Sequence, residues 1–174
     1  MQYCLLDKNV VRKAIEGIGK TQFDLPLTAE ERLSLQLLLA TQKSELQLYI
    51  SVEMEHILAR YAVHPDVVLF QQFVQTLQPT RYFKRWTRRV REHNFSREDA
   101  KVLALATFGT DPASLRFGVD LIVTFDQPFH RNFARERILL EHRLQMMIGQ
   151  LPHPYATAAL PDVKTPGDVL LFGN

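Results

Sequence analysis

The chain has 174 residues, of which 46% are hydrophobic and 23% are charged, a composition typical of one globular domain with a proper core. Its formal net charge of +2 is too small to indicate a nucleic-acid partner by itself. The single cysteine, Cys4, excludes an internal disulfide and is expected to be a small buried core residue in a reducing compartment. No apolar run reaches about 18 residues, and Asp7 ends the first one, so the sequence predicts a cytoplasmic protein without a membrane span or signal peptide.

Apolar runs and helix patterns alternate through the first half of the chain. Residues 3–6 form a continuous apolar run, typical of a strand that is buried on both faces. Thr28 followed by Glu31 is a capping box, which predicts that a helix begins there. The other patterns predict a helix at 9–18 that ends at Gly17 or Gly19, a strand at 48–50, a helix from the N-cap Ser51 to residue 60 or 61, and a helix from Pro65 to Pro79 with a buried stripe of Phe70, Phe73, Val74 and Leu77.

The second half begins with a basic helical segment at 80–93 and ends with a Pro-rich segment at 151–174. Ser96 is a typical N-cap and Gly109 a typical helix end, so a helix is predicted between them. Further patterns predict a strand at 121–123, a helix in one or two pieces at 128–147, a short strand near 160–163 and a helix begun by Thr165 and Pro166. Short apolar strands separated by helices indicate a single α/β domain over 1–174, with a parallel sheet of about four to five strands and helices on both faces.

Three aspartates stand where predicted strands end or helices begin. Asp7 closes the first apolar run, Asp126 follows the strand at 121–123, and Asp99 lies at the start of the helix capped by Ser96. In open α/β sheets ligands bind at the carboxyl ends of the strands, and Mg²⁺ or Mn²⁺ takes oxygen ligands there. The set therefore indicates a metal-dependent enzyme, and paired metal ions commonly hydrolyse phosphodiesters. Each aspartate taken singly could instead be a helix cap or a turn residue.

The order and spacing of these motifs resemble the PIN domain family. The matching pieces are LLDKN at 5–9, DAKVLALA at 99–106 and VTFDQPF at 123–129, followed by a terminal VKTPGDVLLF. The family has a similar LLDxN at the end of its opening strand, a D-A-x-[ILV]-x-A-x-A helix and a V-T-x-D-x-x-F segment after a later strand. The resemblance therefore covers nearly the whole chain, although its matched positions are few.

The resemblance implies a three-layer α/β/α sandwich with a magnesium- or manganese-dependent nuclease centre that acts on RNA. By this resemblance Asp7, Asp99 and Asp126 are catalytic metal ligands, directly or through water, and Asn9 and Thr124 support them. Many small bacterial members are toxins paired with antitoxins, so an antitoxin or another protein partner is implied as well.

Two departures from the family pattern concern the same site. The family usually has a fourth acid on the helix after the second strand, where this chain offers Glu53 and Glu55. Glu55 is the preferred catalytic candidate and Glu53 a supporting one, although neither falls squarely in the expected place. Lys8 stands where Thr or Ser is common, and its ammonium could replace part of the metal charge or contact a phosphate.

The basic segment predicts a phosphate-contacting surface. Five cationic residues follow helical i, i+3, i+4 spacing and so share one face, which would make RNA binding salt-dependent. Phe83, Trp86 and Val90 form the opposite stripe, whose spacing is that of a buried side. The alternative is a solvated face whose charges balance acids elsewhere. The predicted RNA-binding residues are Arg81, Lys84, Arg85, Arg88 and Arg89.

A second helical stretch of mixed charge, 130–147, leaves its apolar residues with two interpretations. Ile138, Leu139, His142 and Met146 could form the seam of a homodimer, or they could be ordinary core, which is the preferred interpretation. The chain has no HExxH, GxSxG or P-loop motif, so zinc protease, serine hydrolase and Walker-type NTPase functions lack support. The leading hypothesis is thus a PIN-like ribonuclease, and the alternative is a catalytically weak or inactive module that binds RNA or protein.

Overall fold

The fold is an α/β arrangement built on one mixed sheet, given by a computed structural model that describes residues 1–43, 46–114 and 116–172. Within those residues the strands are β1 Gln2–Leu6, β2 Leu46–Ser51, β3 Val74–Pro79, β4 Gly109–Asp111, β5 Arg116–Phe117, β6 Leu121–Val123 and β7 Asp162–Lys164. The helices are α1 Lys8–Gln22, α2 Ala29–Ala40, α3 Val52–Ala59, α4 Pro65–Gln71, α5 Phe83–Arg91, α6 Arg97–Phe108, α7 Gln127–Ile148 and α8 Pro166–Phe172.

The strands lie in the order β5-β4-β3-β2-β1-β6-β7. From β3 to β7 all neighbours pair in parallel, whereas β4 pairs antiparallel with β3 and with β5. The α/β class predicted from the sequence is confirmed. The expected purely parallel sheet of about four to five strands is wrong, because β4 and β5 extend it to seven described strands. These two strands are only three and two residues long and have no apolar run that would reveal them.

The strands near the centre of the sheet contribute alternate side chains to two separate cores. On β1, Cys4 and Leu6 pack with residues of α1 and α2, whereas Leu5 packs with residues of α6 and α7. The same alternation continues on β2, where Tyr49 points to the side of α6 and its neighbours to the other. Successive side chains of a strand point to opposite faces, so helices cover both faces of the sheet, as a parallel sheet requires. The prediction that Cys4 is buried is confirmed.

The predicted helix at 65–79 is wrong in its second half. Helix α4 ends at Gln71, and β3 begins at Val74 and pairs with β2, with Leu77 beside Ser51. The spacing of Phe70, Phe73, Val74 and Leu77 fits a helix, but pairing with the edge of β2 satisfies the backbone and buries Leu77 completely. Tertiary pairing has therefore overridden a local periodicity, as it often does for short apolar segments.

Glycine has a different role in α1 from the predicted one. The helix continues past Gly17 and Gly19 and ends at Gln22. A Cβ on Gly17 would lie 3.1 Å from the Leu35 side chain of α2, so this glycine allows two helices to approach closely. The predicted capping box of Thr28 and Glu31 and the predicted caps Ser51 and Ser96 are confirmed.

Helix α7 runs in one piece and turns apolar side chains to solvent. Ile138 is 79% exposed, and Leu139 and Met146 are also largely exposed. The preferred interpretation of these residues as core is therefore wrong, while the dimer seam stays a prediction. In the part of the chain that the structure describes, no helix is both long and apolar enough to cross a bilayer.

Candidate active site

The carboxyl edge of the sheet carries a cavity where the strand order changes direction. The chain proceeds from β1 outward through β2 to β3, whereas β6 and β7 lie on the other side of β1. Connections that leave the sheet in opposite directions open a crevice at this point, where α/β proteins bind their ligands. Asp7 directly follows β1, and Asp126 lies three residues after β6. Both aspartates are thus placed at the crevice by the topology.

The cavity has a volume of about 470 Å³ and brings together all three predicted aspartates. Its charged lining residues are Asp7, Lys8, Glu53, Glu98, Asp99, Lys101 and Asp126. Helix α3 forms one wall and α6 another, and the ends of β1, β2 and β3 contribute between them. Segments that are far apart in sequence therefore meet around one space.

Thr124 links the end of β6 to the start of α1. Its buried hydroxyl donates to Asp7 Oδ2 at 2.8 Å and accepts from Asn9 Nδ2 at 3.3 Å and from the backbone N–H of Asp126 at 3.1 Å. The other Asp7 oxygen, Oδ1, accepts the Lys8 N–H at 2.7 Å. Asn9 and Thr124, which were predicted to support the site, thus form a hydrogen-bonded network that holds the Asp7 carboxylate in place.

Burial raises the pKa of Asp7 above its ordinary value of 3.8, and the nearby Asp99 carboxylate raises it further. The hydrogen bonds from Thr124 and Lys8 lower this pKa but do not cancel the effect of burial. A desolvated carboxylate next to a second acid is an arrangement that positive charge stabilises. Perturbed carboxyl groups of this kind cluster at functional sites.

Asp126 and Asp99 differ in the hydrogen bonds that their carboxylates make to the rest of the fold. Asp126 Oδ1 accepts the N–H of Phe129 at 3.1 Å and caps α7, so the cap interpretation holds for this residue. Asp99 donates its backbone N–H to Ser96 Oγ at 3.0 Å. Within the described residues its carboxylate makes no hydrogen bond or ion pair, so it does not complete a capping box. Asp99 therefore lines the cavity with a carboxylate that no hydrogen bond or ion pair engages within the described residues.

Of the two candidate glutamates, Glu53 reaches the cavity. It lines the cavity from the first turn of α3, whereas the half-buried Glu55 is not one of the lining residues. Residues two apart on a helix point to different sides, so only one of the pair can face the aspartates. The role predicted for Glu55 stays a prediction, but of these two glutamates only Glu53 lines the cavity that the three aspartates share.

A lysine that the motifs did not reveal lies among these acids. Lys101 Nζ is 3.0 Å from Glu53 Oε1 and 3.6 Å from Glu98 Oε1, so it links α6 to α3 across the cavity wall. The hydrogen bond to Glu53 raises the pKa of Lys101, which keeps the ammonium charged. The sequence signal for it was weak, namely Glu98 three residues before Lys101 on one helix.

The carboxylate oxygens of the cavity are of the kind that a hard divalent cation prefers, and the separation of these side chains limits how many of them could bind one cation directly. Carboxylate oxygens are the ligands that Mg²⁺ prefers. Across residues 1–43, 46–114 and 116–172, no three His, Cys, Asp or Glu side chains are grouped so that they could hold a metal ion together. Mg²⁺ commonly takes only one or two protein carboxylates and keeps several waters. The described residues therefore leave room only for a cation held directly by one or two carboxylates and otherwise by water.

The basic segment forms α5, which is shorter than the predicted 80–93. Trp86 and Val90 are fully buried, as the spacing predicts. Phe83 is only half-buried and lines the cavity, which the sequence did not indicate. The five predicted cations form no ion pair among the described residues, and all are exposed except the half-buried Arg89; they are Arg81, Lys84, Arg85, Arg88 and Arg89.

Comparisons with protein-family models, with curated proteins and with solved structures found no match for this chain.

Proposed function

We propose that this protein is a PIN-like ribonuclease that depends on Mg²⁺ or Mn²⁺ and hydrolyses RNA phosphodiesters. The observation that carries the proposal is the meeting of Asp7, Asp99 and Asp126 in one cavity at the point where the strand order changes direction. The parallel strand order and the helices on both faces support a PIN-like three-layer sandwich, to which the antiparallel strands β4 and β5 are added at one edge.

Each residue of the cavity has a definite part in this proposal. Asp7 and Asp99 hold the cation directly, and Asp126, whose Oδ1 already caps α7, holds it through water. Asn9 and Thr124 keep Asp7 in place through the network around the Thr124 hydroxyl. A bound divalent cation supplies a nucleophilic water at neutral pH and stabilises charge on the leaving oxygen.

The test is cleavage of single-stranded RNA by Asp7→Asn, Asp99→Asn and Asp126→Asn, with Mn²⁺ or with EDTA. Loss of an outer-shell partner of a metal costs about 10- to 100-fold in activity, so loss of a ligand should reduce cleavage by about 100-fold or more. Asparagine keeps the capping oxygen of Asp7 and of Asp126, and the Asp99 carboxylate makes no hydrogen bond within the described residues, so the fold should persist in all three variants. Asp24→Asn is the matched control, because Asp24 is exposed, lies outside the cavity and has a positive φ that asparagine tolerates. Undiminished cation-dependent cleavage by the cavity variants would show that these aspartates are not the catalytic metal ligands.

A second candidate function is a catalytically weak or inactive module that binds RNA or a protein through the same fold. It is favoured by the Lys101 ammonium, which already supplies positive charge to Glu53 and Glu98 inside the cavity. Calorimetric titration with Mn²⁺ separates the two candidates. Absence of Mn²⁺ binding together with salt-sensitive RNA binding would favour the module.

The partners and the location of the protein follow from the same proposal. RNA is the proposed substrate, and a cytoplasmic location is where such a substrate and a free cysteine are both found. We propose an antitoxin or another protein partner on the basis of the PIN-like resemblance alone. A small neighbouring gene that encodes an antitoxin would support it.

A further inference from the structure

The cavity at the carboxyl edge of the sheet is lined by more negative than positive side chains. Among the described residues that line it there are five carboxylates and two ammoniums, an excess of three negative charges when all are ionised. Lys101 already pairs with Glu53 and with Glu98, so most of the excess lies with the three aspartates, near which Lys8 is the other ammonium. Charge complementarity therefore selects a cationic ligand for this cavity and disfavours an anionic one.

The separation of the acids favours a cation with several charges along a chain over a single small ion. In the described part of the chain, no three acidic, histidine or cysteine side chains are close enough to hold one metal ion together. A single ion therefore engages only one or two carboxylates and leaves the others without a partner. A flexible chain with several ammonium groups can instead make charge-assisted hydrogen bonds to carboxylates that stand apart.

The cavity also has apolar walls, which a hydrated metal ion does not use. Met54 and Ile57 of α3 contribute to the lining, and so do Val102 of α6 and Phe83 at the start of α5. Met54 packs with the core on one face of the sheet, whereas Phe83 and Val102 pack with the core on the other. Methylene groups are stabilised against such walls, and the face of an aromatic ring attracts an ammonium. These walls therefore suit a ligand with an aliphatic body.

The two properties together exclude simpler occupants. A neutral aliphatic ligand would leave the carboxylates without donors, and a metal ion would leave the apolar walls unused. A monoamine would bring only one charge to an excess of three. The volume of about 470 Å³ lies within the range of small-ligand sites. The cavity thus fits a small aliphatic ligand with more than one ammonium group.

We propose that this cavity binds a linear polyamine, with its ammonium groups at the aspartates and its methylene groups along Met54 and Ile57. The binding itself goes beyond the proposed function, whereas its consequence for cleavage rests on that function. Because the polyamine and the divalent cation use the same carboxylates of Asp7 and Asp99, each excludes the other. A bound polyamine would therefore keep the ribonuclease without its metal ion and inactive.

The test is a spermidine titration followed through methionine methyl groups by NMR, in EDTA and at about 0.15 M salt, where contacts between exposed charges are screened. Met54 lines the cavity, whereas Met146 is exposed on α7 and serves as an internal control. Spermidine should shift the Met54 methyl signal in a saturable way and leave the Met146 signal in place. Butylamine, which has one ammonium group, should bind about ten-fold more weakly or worse.

Two variants separate the acidic part of the site from its apolar part. Asp99→Asn should weaken spermidine binding by roughly five-fold through loss of one charge, and Asp24→Asn, exposed and outside the cavity, is its matched control. Ile57→Ala should weaken binding by about three-fold through loss of apolar wall. Its matched control is Ile138→Ala, since Ile138 is exposed on α7 and lies outside the cavity.

Mutual exclusion is tested by calorimetric titration of Mn²⁺ into the wild-type chain with and without saturating spermidine. RNA is left out, because polyamines bind its phosphates themselves. Spermidine should weaken the apparent Mn²⁺ affinity in proportion to its own concentration, as competition requires. An unchanged Mn²⁺ affinity would overturn the exclusion.

An unmoved Met54 signal would overturn the polyamine site, and so would equal binding of butylamine or wild-type affinity in both cavity variants. These failures are distinguishable from failure of the proposed function, because the NMR titration needs no metal ion and no cleavage. If Asp7→Asn abolishes cleavage while spermidine leaves Met54 unmoved, the ribonuclease stands and the polyamine site falls. If Met54 responds but the wild-type chain shows no cation-dependent cleavage, the polyamine site stands and the ribonuclease falls.

Discussion

At the scale of single residues, the ionised Asp7 carboxylate suits a cation site but lowers the stability of the folded chain. This carboxylate is partly buried, lies near enough to Asp99 to feel its charge, and accepts hydrogen bonds from the Thr124 hydroxyl and the Lys8 amide. Because burial raises the Asp7 pKa, the folded chain binds a proton at this group more tightly than the unfolded chain does. Ionised Asp7 therefore destabilises the folded state at neutral pH.

We expect Asp7→Asn to unfold at a higher temperature than the wild type at pH 7, because asparagine keeps the capping oxygen without the buried charge. The gain should shrink as the pH falls through the folded-state pKa of Asp7. It should vanish below the ordinary value of 3.8, where the carboxyl is protonated in both states. Thermal melts from pH 3 to pH 7, roughly the range over which carboxyls titrate, measure this. A gain of equal size in the exposed Asp24→Asn would contradict the explanation.

Lys101 gives a second residue-scale prediction, which concerns the cation site rather than the fold. Removing one positive charge from a cavity changes the energy of another cation a few ångströms away by about 1 kcal/mol even at the dielectric constant of water. Lys101→Met should therefore bind Mn²⁺ roughly five-fold more tightly or better than the wild type, as measured by calorimetry. Lys84→Met, outside the cavity, should leave the affinity unchanged. Equal affinity in wild type and Lys101→Met would show that the ammonium does not compete with the cation.

At the scale of elements, α5 combines a buried stripe with a face of exposed cations. Trp86 and Val90 anchor the helix in the core, and the cations on the other side have no acidic partner among the described residues. The alternative of a solvated face whose charges balance acids elsewhere in the molecule stays open, because it requires no ion pair at α5. In the proposed function, this exposed face is the surface that would contact the RNA backbone.

The expected consequence is a salt dependence of RNA binding that α5 supplies. Each phosphate contact to a single strand contributes about 0.7 to the slope of log affinity against log salt concentration. Arg85→Gln with Arg88→Gln should therefore reduce the slope by about 1.4, measured by fluorescence anisotropy in the cleavage-deficient Asp7→Asn background. Arg32→Gln with Arg60→Gln removes the same charge from exposed positions outside α5. An equal reduction in that control would mean that only the net charge matters.

The helices and strands also show where local sequence patterns were sufficient to predict the structure and where they were not. The caps Thr28, Ser51 and Ser96 were predictable because a cap is a contact between residues three apart on the chain. The segment at 65–79 was not, because Leu77 is buried by its pairing with β2 rather than by a helix. Gly17 likewise reflects the approach of α2, which no local pattern contains.

At the scale of the whole molecule, the cavity exists because the order of the parallel strands reverses at β1. Asp7, Asp99 and Asp126 are far apart in the sequence, and the crossovers of the sheet bring them to the same edge. The placement of Asp7 and Asp126 at that edge was predictable, since both follow strands of a parallel sheet. The position of Lys101 between Glu53 and Glu98 was not, because it depends on how α6 lies against α3.

The sequence by itself determined the α/β class, the caps, the burial of Cys4 and the position of Asp7 and Asp126 after strands and of Asp99 at a helix start, because each of these depends on short-range patterns or on chain order. Only the tertiary structure decided the two antiparallel edge strands, the exposure of Ile138 on α7 and which of the two candidate glutamates, Glu53 and Glu55, lines the cavity. It also decided that Phe83 lines the cavity instead of lying wholly in the core. The physical reason is the same in each case: pairing of strands and packing of helices join residues whose separation along the chain carries no local signal.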